Sequence, residues 1–155
     1  MKAFNFKAKG HLMVRATHAS TFEITSEDQL TEKGDCIIAV SSSMVPAEIP
    51  GEIREAIRKG GRIRIRLSCD GIVDTVTGWG HQSLPLSSDR CFICRKSTYI
   101  SPETLAIKCD KAARDLDRAL VQKLREGKEL EVSVQIETRW ISCLTFFTRI
   151  ALRLC

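Results

Sequence analysis

The chain has 155 residues, of which 43% are hydrophobic and 28% charged. This composition excludes an intrinsically disordered protein and a protein built of membrane-spanning helices. The formal net charge is +5, but residues 138–155 carry three arginines and no acid. The rest is close to neutral and lacks the strong overall field of a dedicated nucleic-acid-binding protein. Because the cysteine count is odd and no basic and apolar leader opens the chain, we expect reduced thiols and a cytoplasmic location.

The first half of the chain begins with a short alternating run whose inward residues are Phe4, Phe6 and Ala8. After Gly10-His11, alternation with a period of two predicts a longer strand. The inward face of that strand carries Val14, Ala16, His18, Ser20, Phe22 and Ile24. Further on, the pattern predicts a buried strand, a helix and another strand, over residues 36–40, 50–60 and 62–67.

The second half opens with Asp70-Gly71, which predicts a tight hairpin turn. Further strands are predicted over residues 72–78, 91–95 and 104–108. Asp110 is the predicted N-cap of a helix that continues to Glu126. This helix is predicted from apolar residues that recur every four positions, namely Ala112, Leu116, Leu120 and Leu124. Gly127 ends the helix, and alternation over residues 129–137 predicts the last strand.

The two halves repeat one another, and Gly10-His11 recurs as Gly80-His81. Each half has a strand, a strand, a strand, a helix and a strand in that order, and repeats of about 70 residues usually mark one structural unit used twice. We predict an α+β fold in which a duplicated β-β-β-α-β unit, about residues 3–69 and 70–137, forms one domain with pseudo-twofold symmetry and two main helices. Residues 138–155 are predicted to be a tail outside both units.

Duplicated units of this kind resemble the cradle-loop barrels, in which two copies interlock around a pseudo-twofold axis. Those barrels carry a Gly-Asp turn before an apolar strand, and residues 34–38 have that form. The second copy has Pro102-Glu103 before its strand instead. The resemblance implies a barrel-like sheet, and a binding site in such a domain is expected near the junction of the two copies.

Several longer motifs carry a second resemblance, and they lie within residues 10–18, 23–25, 34–38, 95–97 and 110–117. Over about residues 3 to 137 the chain resembles a small archaeal family known as domain of unknown function 371. This resemblance implies a cytoplasmic archaeal protein and implies no activity, substrate or cofactor. The family pattern has an Asp-Lys pair where this chain has Ser42-Ser43.

His18 is the main candidate for chemistry, because a partly buried imidazole is readily tuned as an acid, a base or a ligand. The alternative is a core histidine satisfied by hydrogen bonds. Arg95 and Lys96 could hold an anion at the N-terminus of the helix that Asp110 opens, although a solvated face with local ion pairs explains the same charges. The predicted site lies at the junction of the copies and contains Thr17, His18, Asp35, Arg95, Lys96, Asp110 and Lys111.

The histidines and cysteines do not form a metal motif in this sequence. His11 and His81, with His18, could supply nitrogen ligands, but their spacing matches no known ligand set. Cys91 and Cys94 have the spacing of a zinc or redox pair, but residues three apart on a strand face opposite sides. We therefore interpret both as core thiols and expect neither a metal nor a cofactor.

Arg62, Arg64 and Arg66 form a basic stripe with Trp79 nearby across the hairpin. Arginines beside an aromatic ring are the ingredients of a nucleic-acid-binding surface. The equivalent positions of the second copy are acidic, Glu129 and Glu131. Because opposite charges suit cross-strand pairs, the sequence favours a ladder of ion pairs between these two stripes.

The favoured hypothesis is a non-catalytic binding protein whose ligand, a small anion, a nucleotide or RNA, lies at the junction of the copies. One alternative is an enzyme that uses His18 with Asp35, Arg95, Lys96, Asp110 or Lys111. Another is a structural or peripheral-membrane subunit acting through residues 138–155, whose wide apolar face suits a membrane surface, a protein partner or the domain itself. The sequence names neither the ligand nor the oligomeric state.

Overall fold

The computed structural model describes residues 1–30 and 34–138. The strands are β1 (Lys2–Lys9), β2 (Thr21–Thr25), β3 (Ile37–Ala39), β4 (Arg62–Cys69), β5 (Ile72–Trp79), β6 (Cys91–Arg95), β7 (Thr104–Ala106) and β8 (Glu129–Glu137). The α-helices are α1 (Gly51–Arg58) and α2 (Arg118–Arg125), and a short 3₁₀ helix precedes each, at Pro46–Glu48 and Ala113–Asp115. The fold is therefore α+β, as predicted.

The strands form two four-stranded sheets, in the orders β1-β8-β4-β5 and β3-β2-β6-β7. Backbone hydrogen bonds join the two sheets at both edges. Lys9 exchanges two bonds of 2.7 and 2.8 Å with Val40, beyond β3, and Trp79 exchanges two of 2.9 Å with Ile107, beyond β7. Hydrogen bonding thus passes around all eight strands, which protects edges that would otherwise pair with other chains.

The core lies between the sheets and the helices. Alternate residues of β1, β4 and β8 are buried, as strand geometry requires for a sheet with one covered face. Phe6 of β1 and Phe92 of β6 stack with their ring centroids 4.8 Å apart, which ties the two sheets together. α1 packs on β1 and β8, and α2 packs on β4 and β5. The opposite face of the first sheet carries the exposed polar residues.

The element order is the same in residues 2–69 and 72–137, with three strands, a 3₁₀ helix, an α-helix and a last strand in each. The Asp70-Gly71 hairpin is confirmed: both residues have positive φ, 49° and 82°, and β4 and β5 pair without interruption. The superposition of the two halves stays a prediction.

The long strand predicted after Gly10-His11 is wrong over residues 14–20, and β2 begins only at Thr21. Ala16 has a left-handed φ of 51°, and the N–H groups of Thr17 and His18 both donate to the carbonyl of Asp35, at 3.0 and 3.2 Å. Backbone bonded in this way cannot continue a strand ladder. Val14 and Ala16 belong to an irregular loop, and both are buried. Because they are two residues apart, their burial gives the same sequence pattern as a strand.

The helix predicted from Asp110 is wrong over residues 110–117. α2 begins at Arg118, and its N-cap is Asp117, whose carboxylate accepts from the N–H of Ala119 at 2.8 Å. The carboxylate of Asp110 instead accepts from the N–H of Thr77 at 2.8 Å. The four-residue apolar spacing arises because Ala112 and the following 3₁₀ turn also face the core.

Residues 139–155 lie outside the described residues, so the predictions for the tail, including its membrane or protein partner, stay predictions. Across residues 1–30 and 34–138, no α-helix is long and apolar enough to cross a membrane, since α1 and α2 have eight residues each and a span needs about 20.

Candidate ligand-binding groove

The His18 side chain closes the turn that leads into β2. Its Nδ1 accepts hydrogen bonds from the backbone N–H groups of Ser20 and Thr21, at 3.2 and 3.1 Å. A ring nitrogen that accepts from N–H groups carries no proton, so the neutral ring is protonated at Nε2. His18 is therefore partly exposed and holds a turn, rather than lying in the core on a strand face.

Lys96 lies close to this turn. Its N–H donates to the carbonyl of Ser20 at 2.9 Å, and its Nζ forms an ion pair of 2.6 Å with Asp115. The hydrogen bond from Lys96 lowers the pKa of Asp115 below its ordinary value. Arg114, the residue before Asp115, donates its N–H to the carbonyl of His18 at 3.1 Å. The structure thus gathers His18 and Lys96 around the second 3₁₀ helix.

Arg95, the last residue of β6, contacts different residues from Lys96, because adjacent residues of an extended chain face opposite sides. Its guanidinium donates to Thr104 Oγ1 at 3.0 Å and to Ser101 Oγ at 3.1 Å. It also lies over the ring of Tyr99, 4.8 Å from the centroid. These contacts hold the loop before β7 against β6.

Lys111 is held by a nearly buried carboxylate, that of Asp74, with which it forms an ion pair. Asp74, whose side chain is 9% exposed, also accepts from the N–H of Asp117 at 2.8 Å. Burial alone would raise the pKa of Asp74, but the bonds from Lys111, Asp117 and Thr75 outweigh it and lower the pKa. Lys111 therefore has a structural partner.

The seven predicted site residues do not form one constellation. Thr17, His18 and Asp35 contact one another through backbone bonds, and Lys96 contacts Ser20. The side chains of the others bond elsewhere, as described above for Arg95, Asp110 and Lys111. Their role in ligand binding stays a prediction, as does the enzyme alternative built on them.

A groove of about 540 Å³ opens where the two halves meet. We name it the cationic groove, and its lining residues are Arg58, Lys59 and Gly60 from the first half, and Trp79, Gly80, His81, Gln82, Ile107 and Lys108 from the second. Among the residues that the structure describes, no acidic one lines it. The C-terminus of α1 contributes a partial negative charge of about half a unit, which the three full positive charges of the lining exceed.

Backbone geometry brings these residues together. Gly60 has a φ of +79° and ends α1, and the Gly80 N–H donates to the carbonyl of Gly61 at 2.9 Å. Arg58 donates to the carbonyls of Leu84 and Pro85, at 2.9 and 2.8 Å, so its charge lies in the wall of the groove. The turn after β5 is thereby fixed against the end of α1.

His81 uses its ring in the same way as His18. Its Nδ1 accepts from the N–H of Ser83 at 3.0 Å, so the neutral ring is protonated at Nε2, a hydrogen-bond donor suited to an anion. Lys59 and Lys108 are exposed, and Trp79 is half-buried. The groove therefore offers ammonium groups, an imidazole donor and an aromatic ring.

The predicted ladder between the basic and acidic stripes is wrong. β4 and β8 are antiparallel, so Arg62, Arg64 and Arg66 lie opposite Glu137, Gln135 and Ser133 in turn. Glu129 and Glu131 lie opposite Lys9 and Lys7 of β1, and Glu129 pairs with Lys7 at 3.5 Å. We call the three arginines the arginine row. Its one ion pair within the described part of the chain joins Arg64 to Glu137 at 3.7 Å.

Two other grooves have mixed or acidic linings. One of about 540 Å³ crosses the outer face of the first sheet, and its charged residues are Lys7, Arg66 and Glu131. The other, of about 360 Å³, lies at the β4–β5 hairpin, and its charged residues are Asp70, Lys128, Glu129 and Glu131. Neither offers an anion a uniformly basic surface.

The cysteines of β6 have different surroundings. Cys94 is buried, and burial together with a hydrogen bond to Cys109 raises its pKa well above the ordinary value. Cys91 is half-buried, and its Sγ donates to Glu23 Oε1 at 3.4 Å. Burial and the neighbouring carboxylate raise the pKa of Cys91 to about 12. Within residues 1–30 and 34–138, no cluster of three or more His, Cys, Asp or Glu side chains could hold a metal ion.

The sequence patterns missed Lys59 and Lys108 as site residues, because the two lysines lie far apart in the chain. The sequence analysis considers His81 only as a possible metal ligand, and its spacing matches no known ligand set. A signal was present in the repeat itself. The repeat equivalent of Lys108 in the first copy is Ser41, and the repeat equivalent of Lys59 in the second copy is Glu126. Both lysines line the same groove, and neither repeat equivalent is basic.

Comparison with known proteins gives two matches. A family model described as a domain of unknown function, DUF371, matches residues 6–137. An uncharacterized protein of Methanocaldococcus jannaschii, MJ0206, is 44% identical over 127 residues, which cover 82% of this chain and 94% of that protein. Both the cationic groove and the arginine row fall inside the matched region. Neither match names an activity.

Proposed function

The chain belongs to the DUF371 family, and we propose that it is a binding protein for a small phosphate-bearing anion, such as a nucleotide, held in the cationic groove. The observation that carries the proposal is the composition of the groove, whose charged lining residues are all basic and come from both halves of the chain. The sequence analysis also predicts a ligand at the junction of the halves, which supports the proposal.

The lining supplies complementary contacts for the two parts of a nucleotide. Lys59 and Lys108 are strongly hydrated point charges suited to phosphate oxygens, and His81 Nε2 adds a neutral donor. Trp79 can stack on a base, a contact worth about 1–3 kcal/mol. A phosphate group with an attached aromatic base therefore fits this surface better than a metal ion or an apolar molecule does.

A binding role is preferred to the enzyme alternative because of how the imidazoles are used. His11, His18 and His81 each accept a backbone N–H at Nδ1. Within the described chain no carboxylate hydrogen-bonds to any of these rings, whereas a catalytic histidine is usually oriented by a third group. These rings are held as turn-closing groups.

We also propose that the two halves are copies of one unit related by a pseudo-twofold axis, with the barrel closure of a cradle-loop barrel. Matching local geometry supports this. Of the five non-glycine residues with positive φ in the described part of the chain, four form pairs at the repeat offsets, Ala16 (51°) with Leu86 (49°) and Ser41 (52°) with Lys108 (51°). The fifth, Asp70, lies in the hairpin between the halves. His18 also has a counterpart in Ser88, whose Oγ accepts from the N–H groups of Arg90 and Cys91 at 3.1 and 3.3 Å.

The repeat provides a matched control for the binding test. Isothermal titration of the full chain with uridine monophosphate, and with uridine, measures whether the phosphate matters. We expect saturable binding of the nucleotide and much weaker binding of the nucleoside. Lys108→Glu should weaken nucleotide binding at least about tenfold, whereas Ser41→Glu, the corresponding change in the other half, should leave it unchanged. Equal effects of the two substitutions, or no phosphate-dependent binding, would refute the proposal.

A further inference from the structure

The arginine row begins at the wall of the cationic groove. In the β4–β5 register Arg62 lies opposite Trp79, Arg64 opposite Thr77 and Arg66 opposite Thr75. Directly opposite strand residues on one face are about 5 Å apart, so Arg62 and Trp79 are neighbours. Since Trp79 also lines the groove, the two basic surfaces are continuous.

The charges of the row are available to a partner. All three arginines are exposed. The pair between Arg64 and Glu137 joins side chains that are 44% and 43% exposed, and such exposed pairs contribute little stability. Within residues 1–30 and 34–138, Arg62 and Arg66 have no ion-pair partner. On the β5 side the row borders the uncharged side chains of Val73, Thr75 and Thr77.

The spacing of the row is regular. Alternate residues of a strand are about 6.7 Å apart, so the arginines present three cations along a straight line that ends at an aromatic ring. A chain of phosphates with unpaired bases has this pattern of regularly spaced negative charge and stacking surface.

We propose that a single strand of nucleic acid lies along the arginine row, with one nucleotide in the cationic groove and its base on Trp79. The inference rests on the proposed function, because the groove supplies the terminal nucleotide site. It extends that function by naming the polymer and the surface that holds it.

The width of the basic surface favours a single strand over a duplex. On β8, the strand next to the row, Glu129 and Glu131 face solvent. They lie between the lysines of β1 and the Arg66 end of the row, where Glu131 and Arg66 line one groove. A second phosphate strand on that side would meet these carboxylates and be repelled. A base can also stack on Trp79 only when it is unpaired.

The test uses the full chain and fluorescence anisotropy with labelled oligonucleotides of about eight nucleotides, one of RNA and one of DNA. The variant carries Arg62→Ala and Arg66→Ala, and the matched control carries Lys7→Ala and Lys9→Ala, which remove the same charge from the same sheet face. We expect the arginine variant to bind the oligonucleotide at least about tenfold more weakly, with the slope of log K against log salt reduced by about 1.4 for two lost contacts. The lysine variant should bind like the wild type.

Binding of uridine monophosphate separates the two claims. Both proposals stand if both variants keep mononucleotide binding, the wild type binds the oligonucleotide more tightly than the mononucleotide, and only the arginine variant loses that gain, whichever of RNA or DNA is preferred. Equal effects of the two variants on the oligonucleotide would make the arginine-row proposal wrong. If mononucleotide binding persists but the oligonucleotide gains nothing, or duplex binds as tightly as single strand, the arginine-row proposal is wrong while the groove proposal survives. If the wild type does not bind uridine monophosphate, the groove proposal is wrong.

Discussion

Gly80 lies directly against the carbonyl oxygen of Ile57, so closely that a Cβ atom at residue 80 would be 1.9 Å from it. Gly10 has the same relationship to Leu124, with a distance of 2.0 Å from the carbonyl oxygen to a Cβ. In each case the turn after the first strand of one half packs on the end of the helix of the other half. Each glycine of the Gly-His repeat therefore packs against a helix, Gly10 against α2 and Gly80 against α1.

Gly80→Ala and Gly10→Ala should each destabilise the protein by about 3 kcal/mol, because the backbone of α1 or α2 must move to admit the methyl group. Urea denaturation measures the loss. Gly51→Ala is the control, because nothing lies within 4 Å of a Cβ at residue 51 and alanine is favourable in a helix. If the Gly80 variant were as stable as the Gly51 variant, the close contact would be wrong.

Arg54 joins the two halves through backbone carbonyls. Its guanidinium donates to Leu86 at 2.5 Å and Ala47 at 3.1 Å, with further bonds to Pro85, Pro46 and Ile49. Lysine cannot reproduce this fork of donors, so Arg54→Lys should lower the free energy of unfolding by about 3 kcal/mol. Arg114→Lys, at an arginine whose side chain is 60% exposed, should change it by less than about 0.5 kcal/mol. Equal losses would contradict the account.

Asp74 should make the protein sensitive to acid. Its pKa is lower in the folded chain than its ordinary value of 3.8, so its ionised form stabilises the fold above about pH 5. That stability is lost as the pH falls through 3.8 and then through the lower folded pKa. Asp74→Asn should cost about 2 kcal/mol at pH 7, and the cost should shrink as the pH falls below 3.8. Unfolding free energies measured across this range test it, and a loss independent of pH would contradict it.

Cys91 should react slowly with iodoacetamide at about pH 8, because its pKa of about 12 leaves little thiolate. Glu23→Gln removes both the negative charge and the carboxylate that bonds the thiol, so alkylation of Cys91 should accelerate. Glu103→Gln removes a charge that acts at longer range and should have a smaller effect. Mass spectrometry of the peptide containing Cys91 gives both rates, and a faster reaction in the Glu103 variant would be evidence against the Glu23 contact.

Local patterns in the sequence predicted most of the elements. Strand alternation located β1, β4 and β8, and Asp70-Gly71 located the hairpin, because these signals depend on neighbouring residues alone. The strand over residues 14–20 and the helix over 110–117 were wrong for a shared reason. Both segments bury residues at regular intervals while their backbone bonds go to distant partners, such as Asp35 and Thr77, and the sequence does not show those partners.

The candidate site depends on pairing that composition does not reveal. The direction of β8 decides which basic residues lie opposite its acids. In the structure Glu137 lies opposite Arg62, whereas Glu129 and Glu131 lie opposite the lysines of β1. The groove combines residues 58–60, 79–82 and 107–108, which approach one another only after the strands close. The sequence could predict the junction of the halves as the place of the site, but not which basic residues line it.

The most direct test of the central claim is the location of a bound nucleotide on the full chain. Titration with uridine monophosphate, followed by two-dimensional ¹H–¹⁵N spectra, should shift the amides of Lys59, His81 and Lys108 and the indole N–H of Trp79 with one common dissociation constant. Saturable shifts centred instead on His18 would place the ligand at the second 3₁₀ helix and contradict the groove assignment. The absence of any saturable shift would contradict the binding function itself.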